Sequence, residues 1–141
     1  MLKTLAIIKP DAVKKKQVGN ILAKAEENGL KISALKMLCL TKQEAGEFYS
    51  VHQGKEFYEA LTDFISEGPI VVAVLEGNDA IDTWRRLMGA TNPAVADEGT
   101  IRCLYGETHT RNAVHGSDSP ASAETEISFF KEVLTPSYKK P

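Results

Sequence analysis

Cysteine is nearly absent from this sequence, and the two that occur, Cys39 and Cys103, stand far apart and in no metal-ligand spacing. That excludes a disulfide scaffold and a cysteine-built metal centre, so both are read as free thiols. An excess of positive charge is lacking too, since 17 Lys and Arg face 19 Asp and Glu for a formal charge of -2. A general nucleic-acid binder held by phosphate contacts is thereby excluded, and any anion site has to be made locally, by clustering a few cations in a cleft. No long apolar run occurs, and Met1-Leu2-Lys3-Thr4 leads straight toward a core strand. No signal peptide or membrane span is expected, and a cytoplasmic location is the default. Internal repeats and low-complexity segments are also missing. What is present, 141 residues of which 43% are hydrophobic, is enough for one core, and a single domain over 1–141 is expected.

Leu5-Ala6-Ile7-Ile8 reads as a buried strand cut off at Pro10, with Lys9 and Asp11 at its C-terminal end. A helix follows, roughly 19–28, stopped at Gly29. A second strand, 32–40, puts Leu35, Met37 and Cys39 on one face, and Thr41 caps the next helix. Two helical stretches carry Ala45, Phe48 and Tyr49, then Phe57, Leu61 and Phe64. Residues 70–75 are β-branched and continuous between Gly68-Pro69 and Gly77-Asn78, which predicts a central strand. Asn78 is expected to cap a helix carrying Ile81, Trp84 and Met88, ended by Gly89. A fourth short strand, 113–115, precedes a helix with Ser119 as cap and Pro120 at its first position. The order predicts an α+β, ferredoxin-like sandwich: a four-stranded, mostly antiparallel sheet covered by helices, with a long active-site loop.

Three places break the pattern. The stretch from Gly89 to Asn112 is long for a connection, yet Ile101, Leu104 and Tyr105 make it too apolar for a solvated linker, so a functional loop is expected. Arg85 lies four residues after Ile81, near the Trp84 and Met88 stripe, while Arg86 points outward. The pattern alone also accommodates Arg85 as a core-edge residue whose stem packs and whose head reaches water. Glu126 borders the apolar face of Ala123, Ile127 and Phe130; it either hydrogen-bonds inward or simply complements a helix N-terminus, as Glu124 would.

Arg111-Asn112-Ala113-Val114-His115-Gly116-Ser117-Asp118-Ser119 puts a histidine at a strand end followed by a glycine that keeps the approach to the imidazole open. The other histidines, His52 and His109, have nothing comparable around them. Here the chain resembles a family, the nucleoside diphosphate kinases. The segment from Asn112 to Ser119 resembles that family's active-site signature, and Ile8-Lys9-Pro10-Asp11-Ala12-Val13 its opening strand and turn. Met88-Gly89-Ala90-Thr91-Asn92-Pro93 with Gly99-Thr100-Ile101-Arg102 resembles its long active-site loop. The motifs come in the family's order and spacing over nearly the whole chain.

The resemblance implies a phosphotransferase that moves the γ-phosphate of a nucleoside triphosphate, mainly ATP, to nucleoside diphosphates by a ping-pong mechanism, maintaining nucleoside triphosphate pools. His115 would attack through Nδ1, Glu126 would fix the other ring nitrogen, and Ser117 would help hold that carboxylate. Lys9, Arg85, Thr91 and Arg102 match phosphate-binding positions, as charge spread over the transferred group demands. Tyr49 would support Lys9, and Asn112 would hydrogen-bond the sugar or its bridging oxygen. Without the motifs, Lys9 reads as a solvated lysine, Thr91 and Asn112 as loop hydrogen-bonders, and Tyr49 as core. Magnesium would bridge the nucleotide phosphates rather than sit in a protein cage, with Asp118 reaching it through water. Phe57 and Leu61 match the positions that stack and line the base, though both also fit the core of an amphipathic helix.

Departures from the family pattern are His109, where an apolar residue usually flanks the base; Leu104, where Asp is frequent; and Glu98, where proline is usual. They touch the base clamp, loop rigidity and subunit contacts, not the phosphate chemistry. An RNA-binding sheet of this class would want exposed aromatics on its central strands, and Ile7, Val72 and Val74 offer none. No stable nucleic-acid complex and no membrane partner are expected; a scaffold role alongside the activity stays open. The chain ends soon after its last helix, at Lys139-Lys140-Pro141, without the longer tail of many hexameric relatives, so a homo-oligomer is expected, a tetramer rather than a hexamer.

Overall fold

In the computed structural model, which describes residues 2–134, one antiparallel sheet runs in the order β2-β3-β1-β4. Its strands are β1 (Leu2–Ile8), β2 (Lys31–Leu38), β3 (Ile70–Gly77) and β4 (Val114–Gly116). The apolar runs form the two central strands, paired from Leu2↔Gly77 to Ile8↔Val71. Both are buried on both faces, which is why they read as continuous rather than alternating. Residues of one parity, Ala6, Ile8, Val71 and Ala73, meet Ile21 and Ala25 of α2 (Val18–Glu27) and Trp84 and Met88 of α5 (Ala80–Met88). Those of the other parity, Leu5, Ile7, Val72 and Val74, meet Ala45 of α3 (Lys42–Phe48), and Leu61 and Ile65 of α4 (Tyr58–Ile65). Phe130, which follows α7 (Pro120–Phe129) and precedes α8 (Lys131–Leu134), packs on the same side. The expected α+β sandwich is therefore present, and its sheet is antiparallel at every pairing.

Several boundaries differ from the sequence reading. The first strand does stop before Pro10, but Pro10 then opens a short helix α1 (Pro10–Lys14) that the sequence reading did not place, where its missing N–H costs nothing. The helix α5 starts after Asp79 rather than Asn78, and the Asp79 side chain makes no cap hydrogen bond. On β2 a bulge between Ile32 and Ala34 changes the phase of the strand, so Ala34 and Leu38 face the core. The face of Leu35, Met37 and Cys39 is the outer one, with Leu35 51% and Met37 54% exposed. The long loop is ordered, with a 3-10 turn at Pro93–Val95 and a five-residue helix α6 (Ile101–Tyr105) capped by Thr100. The other two caps are as expected: Thr41 forms a capping box with Glu44, and Ser119 accepts from Ser122 N with Pro120 next in line. The C-terminal residues Lys139-Lys140-Pro141, on which the tetramer expectation rested, lie outside the described residues.

Candidate active site

Strand β4 is short, and what precedes it builds the site. Ala113 adopts a left-handed backbone, φ 74, between Asn112 and Val114. Beyond it, Ile7 pairs with His115 and Ala6 with Gly116, and the ladder is prolonged by Leu5 N–H donating to Ser117 Oγ at 3.1 Å. The Ser117 hydroxyl in turn donates to Glu126 Oε1 at 2.8 Å, and the same oxygen lies 2.9 Å from His115 Nε2. The carboxylate of α7 is thus pinned by the central strand of the sheet and fixes one nitrogen of the imidazole, leaving Nδ1 on the other side of the ring. Phe48 and Tyr49 pack edge-on against that ring at 5.5 and 6.1 Å between centroids. Trp84 Nε1 donates to the His115 carbonyl at 3.1 Å. The inward-bonded reading of Glu126 is the one that holds.

His115 borders a cleft of about 1160 Å³ whose floor is cationic. Lys9, at the C-terminal end of β1, is 5% exposed and donates from Nζ to Asn112 Oδ1 at 2.8 Å. Burial, with the Arg102 guanidinium beside it, holds the Lys9 ammonium down to about 7, against the opposing pull of Asp11. Arg102 reaches in from α6, its Nη1 donating to Gly89 O at 3.0 Å and its Nη2 to Val114 O at 2.9 Å. Burial and then Arg85 lower it to about 10, and its buried Nε has no partner. Two of its five donors are engaged by the backbone, one on each of Nη1 and Nη2. Gly89 permits this approach, because a Cβ there would stand 2.5 Å from Thr100 Oγ1, the cap of α6. Arg85 and Thr91 line the cleft as well, and Asp118 lies exposed on its rim, its carboxyl held below the usual range by hydrogen bonds from Ser122 and Ser119.

Phe57, Leu61 and His109 also line the cleft. Phe57 is 44% exposed, which rules out the core reading for it, whereas Leu61 belongs both to the cleft and to the core. Of the departures, His109 faces the cleft, while Leu104 and Glu98 are exposed on the loop and absent from its lining.

Two expected contacts take another form. Tyr49 does not hold Lys9: its hydroxyl is buried with no hydrogen-bond partner, and burial followed by the Glu126 charge pushes its pKa above the ordinary phenol value. Lys9 is held by Asn112 instead, whose amide also donates to Thr91 O and His109 O at 3.0 Å each. Asn112 is 2% exposed, and its amide is fully engaged within the protein. Sequence reasoning also missed neighbours. Arg86 borders the cleft rather than pointing away from it. His52 stacks on Tyr49 at 6.2 Å, lies 5.2 Å from Phe57 and touches the cleft, its pKa lowered by burial and then by Lys55 and His115. The three-residue spacing of Tyr49 and His52 in adjoining helical turns was the available signal. Among the described residues no group of three His, Cys, Asp or Glu is placed to hold a metal ion.

A sequence model of the nucleoside diphosphate kinase family matches residues 2–133. The nucleoside diphosphate kinase of Desulfovibrio desulfuricans is 54% identical over 130 residues, 92% of this chain and 94% of its own. That of Glaesserella parasuis is 54% identical over 135 residues, 96% of each chain. Among solved structures, the Aquifex aeolicus nucleoside diphosphate kinase superposes with a TM-score of 0.88 at 45% identity, covering 92% of this chain and 94% of that one. A Halobacterium salinarum nucleoside diphosphate kinase solved in complex with CDP gives 0.90 at 35% identity, covering 98% and 93%. By sequence over almost its full length and by fold, the chain belongs to the nucleoside diphosphate kinase family, phosphotransferases that work by a ping-pong mechanism through a phosphohistidine.

Proposed function

We propose that His115 is the residue phosphorylated in this chain. The observation that carries the reading is the 2.9 Å contact of His115 Nε2 with Glu126 Oε1 at the wall of a cleft holding Lys9, Arg85 and Arg102. With Nε2–H donated to the carboxylate, the lone pair of Nδ1 is available to the cleft. Nδ1 forms a bond to the γ-phosphorus of a nucleoside triphosphate, mainly ATP, while the bond from that phosphorus to the β-phosphate bridging oxygen breaks and the diphosphate departs. A second nucleoside diphosphate then attacks the phosphohistidine through its terminal oxygen and returns the imidazole to its starting state. Glu126 stabilises the positive ring that forms, and Ser117 keeps the carboxylate in register. Lys9, Arg85, Arg102 and Thr91 bind the phosphate oxygens, where fixed charges act on the spreading negative charge. Asn112 contributes by orienting Lys9, and Tyr49 by packing against the imidazole. Phe57 stacks the base and Leu61 lines its pocket, a recognition that tolerates any base.

Magnesium, bound through the nucleotide's own phosphates with Asp118 reaching it through water, would neutralise charge on the β- and γ-phosphates. The donor set fits this: two exposed carboxylates, Asp82 and Asp118, and four cations, Lys9, Arg85, Arg86 and Arg102, line the cleft. One domain over 1–141 is the functional unit, since both cores are built on the one sheet that carries the cleft. A cytoplasmic location follows from the nucleoside triphosphate substrate, and the half-exposed outer face of β2 supports a homo-oligomer, with four copies expected rather than six.

Incubation with γ-labelled ATP and magnesium should put acid-labile, base-stable label on the peptide containing His115, and added diphosphate should remove it. A protein that stays unlabelled ends the reading. His115→Ala should abolish labelling while nucleotide binding persists, because the imidazole supplies chemistry rather than affinity.

A further inference from the structure

Ala113 is buried and carries a side chain, yet its φ of 74 lies in the left-handed region that residues with a Cβ enter at a cost. It is gripped on both sides by one short segment. Its carbonyl accepts from Lys9 N at 2.8 Å, and its N–H donates to Asp11 Oδ2 at 3.0 Å. Asp11 is itself 6% exposed, and its second oxygen, Oδ1, is buried without a partner. Burial pushes the carboxyl above its ordinary pKa. An acid with one orphaned oxygen in such a place is costly to maintain and calls for a reason.

The turn at residue 113 supplies one. In an uninterrupted strand, residues 112 and 115 would point to opposite faces of the sheet, because side chains alternate with period two. Here both Asn112 and His115 border the same cleft. On one side of the turn, the Asn112 amide holds Lys9 Nζ and the carbonyls of Thr91 and His109. On the other, the Val114 carbonyl holds Arg102 and the His115 ring meets Glu126. We propose that Asp11 is a positioning residue for phosphoryl transfer: its carboxylate holds Ala113 in the left-handed turn that sets Lys9, through Asn112, and His115 around one phosphate. The proposal rests on the reading of His115 as the phosphorylated residue.

The test is the single-turnover rate of phosphohistidine formation at saturating ATP and magnesium, measured on the full chain for D11A, D11N and A113G, and for D11A combined with A113G. D11A should slow the step on the order of 100-fold, the loss that misplacement by about 1 Å produces. D11N keeps an oxygen that can accept from Ala113 N–H and should recover most of the lost rate. Glycine adopts the left-handed turn without a clamp, so A113G in the D11A background should recover it as well. A residue that merely fills space would be indifferent to what stands at 113, and D11A lacking rescue by A113G overturns the assignment. Where D11A alone does not fold, the double variant decides: folded and active supports the clamp, and inactive or unfolded overturns it. A labelled wild type with an unimpaired D11A overturns the Asp11 role alone; an unlabelled wild type sinks the His115 reading and this proposal with it.

Discussion

At the scale of single residues, Lys9 is the side chain whose burial ties the proposed phosphate binding to pH. Its ammonium is held down to about 7 from the ordinary 10.5 by burial and by Arg102, so in the free protein it is largely neutral above neutrality. A bound phosphate restores the charge, and binding therefore takes up a proton above about pH 7 and none well below it. Nucleotide affinity should fall as pH rises from about 7 toward 9, by up to about tenfold per unit. Calorimetric titration in buffers of different ionisation heat checks this: proton uptake near zero at about pH 6 and approaching one at about pH 8.5. An uptake that does not change with pH would refute the coupling, and Lys9→Gln should remove it. For stability the sign is separate. The folded pKa lies below the unfolded one, so the unfolded chain binds more protons between about 7 and 10.5, and the Lys9 contribution to stability rises with pH across that window. The types of residue in the site were legible in the motifs, but not who holds whom. Lys9 and Asn112 are 103 residues apart, and nothing local could reveal that the amide, and not Tyr49, grips the ammonium.

At the scale of elements, β4 and α5 meet with no spare room. A Cβ on Gly116 would lie 2.5 Å from Trp84 Cδ1 and 2.7 Å from Met88 Cε, and the Trp84 indole is 1% exposed. Gly116→Ala has to displace that ring, which also holds the His115 carbonyl. Thermal melting should show a loss of about 1–3 kcal/mol, typical of overpacking, with turnover reduced as well. A melting curve and a rate both unchanged would mean that the indole has another place to go. Strands and capped helices were readable because burial on two faces writes a continuous apolar run, and because Thr41 and Ser119 cap in the ordinary way. The two short helices were not. Five residues cannot display a helical period, so α6 lies hidden in the loop and α1 behind Pro10, which stops the strand and also suits a helix's first position. Alternation along β2 told which residues share a face but not which face turns to water, because the bulge after Ile32 resets it.

At the scale of the whole molecule, β2 is an edge strand, paired only with β3, and it shows water the side chains of Leu35 and Met37. Long apolar edges of this kind are normally covered. Light scattering should return a mass that is a multiple of 15.4 kDa, with four copies expected, and the L35K/M37K pair should shift it to a smaller species. A wild-type mass of one chain would remove the oligomer from the proposal. The architecture carries one more implication. The groups gathered around the cleft, Lys9, Arg85, Arg102 and His115, come from four separated stretches of the chain. No excised peptide can reproduce them, so catalytic turnover doubles as a gauge of how much of a preparation has reached its native form.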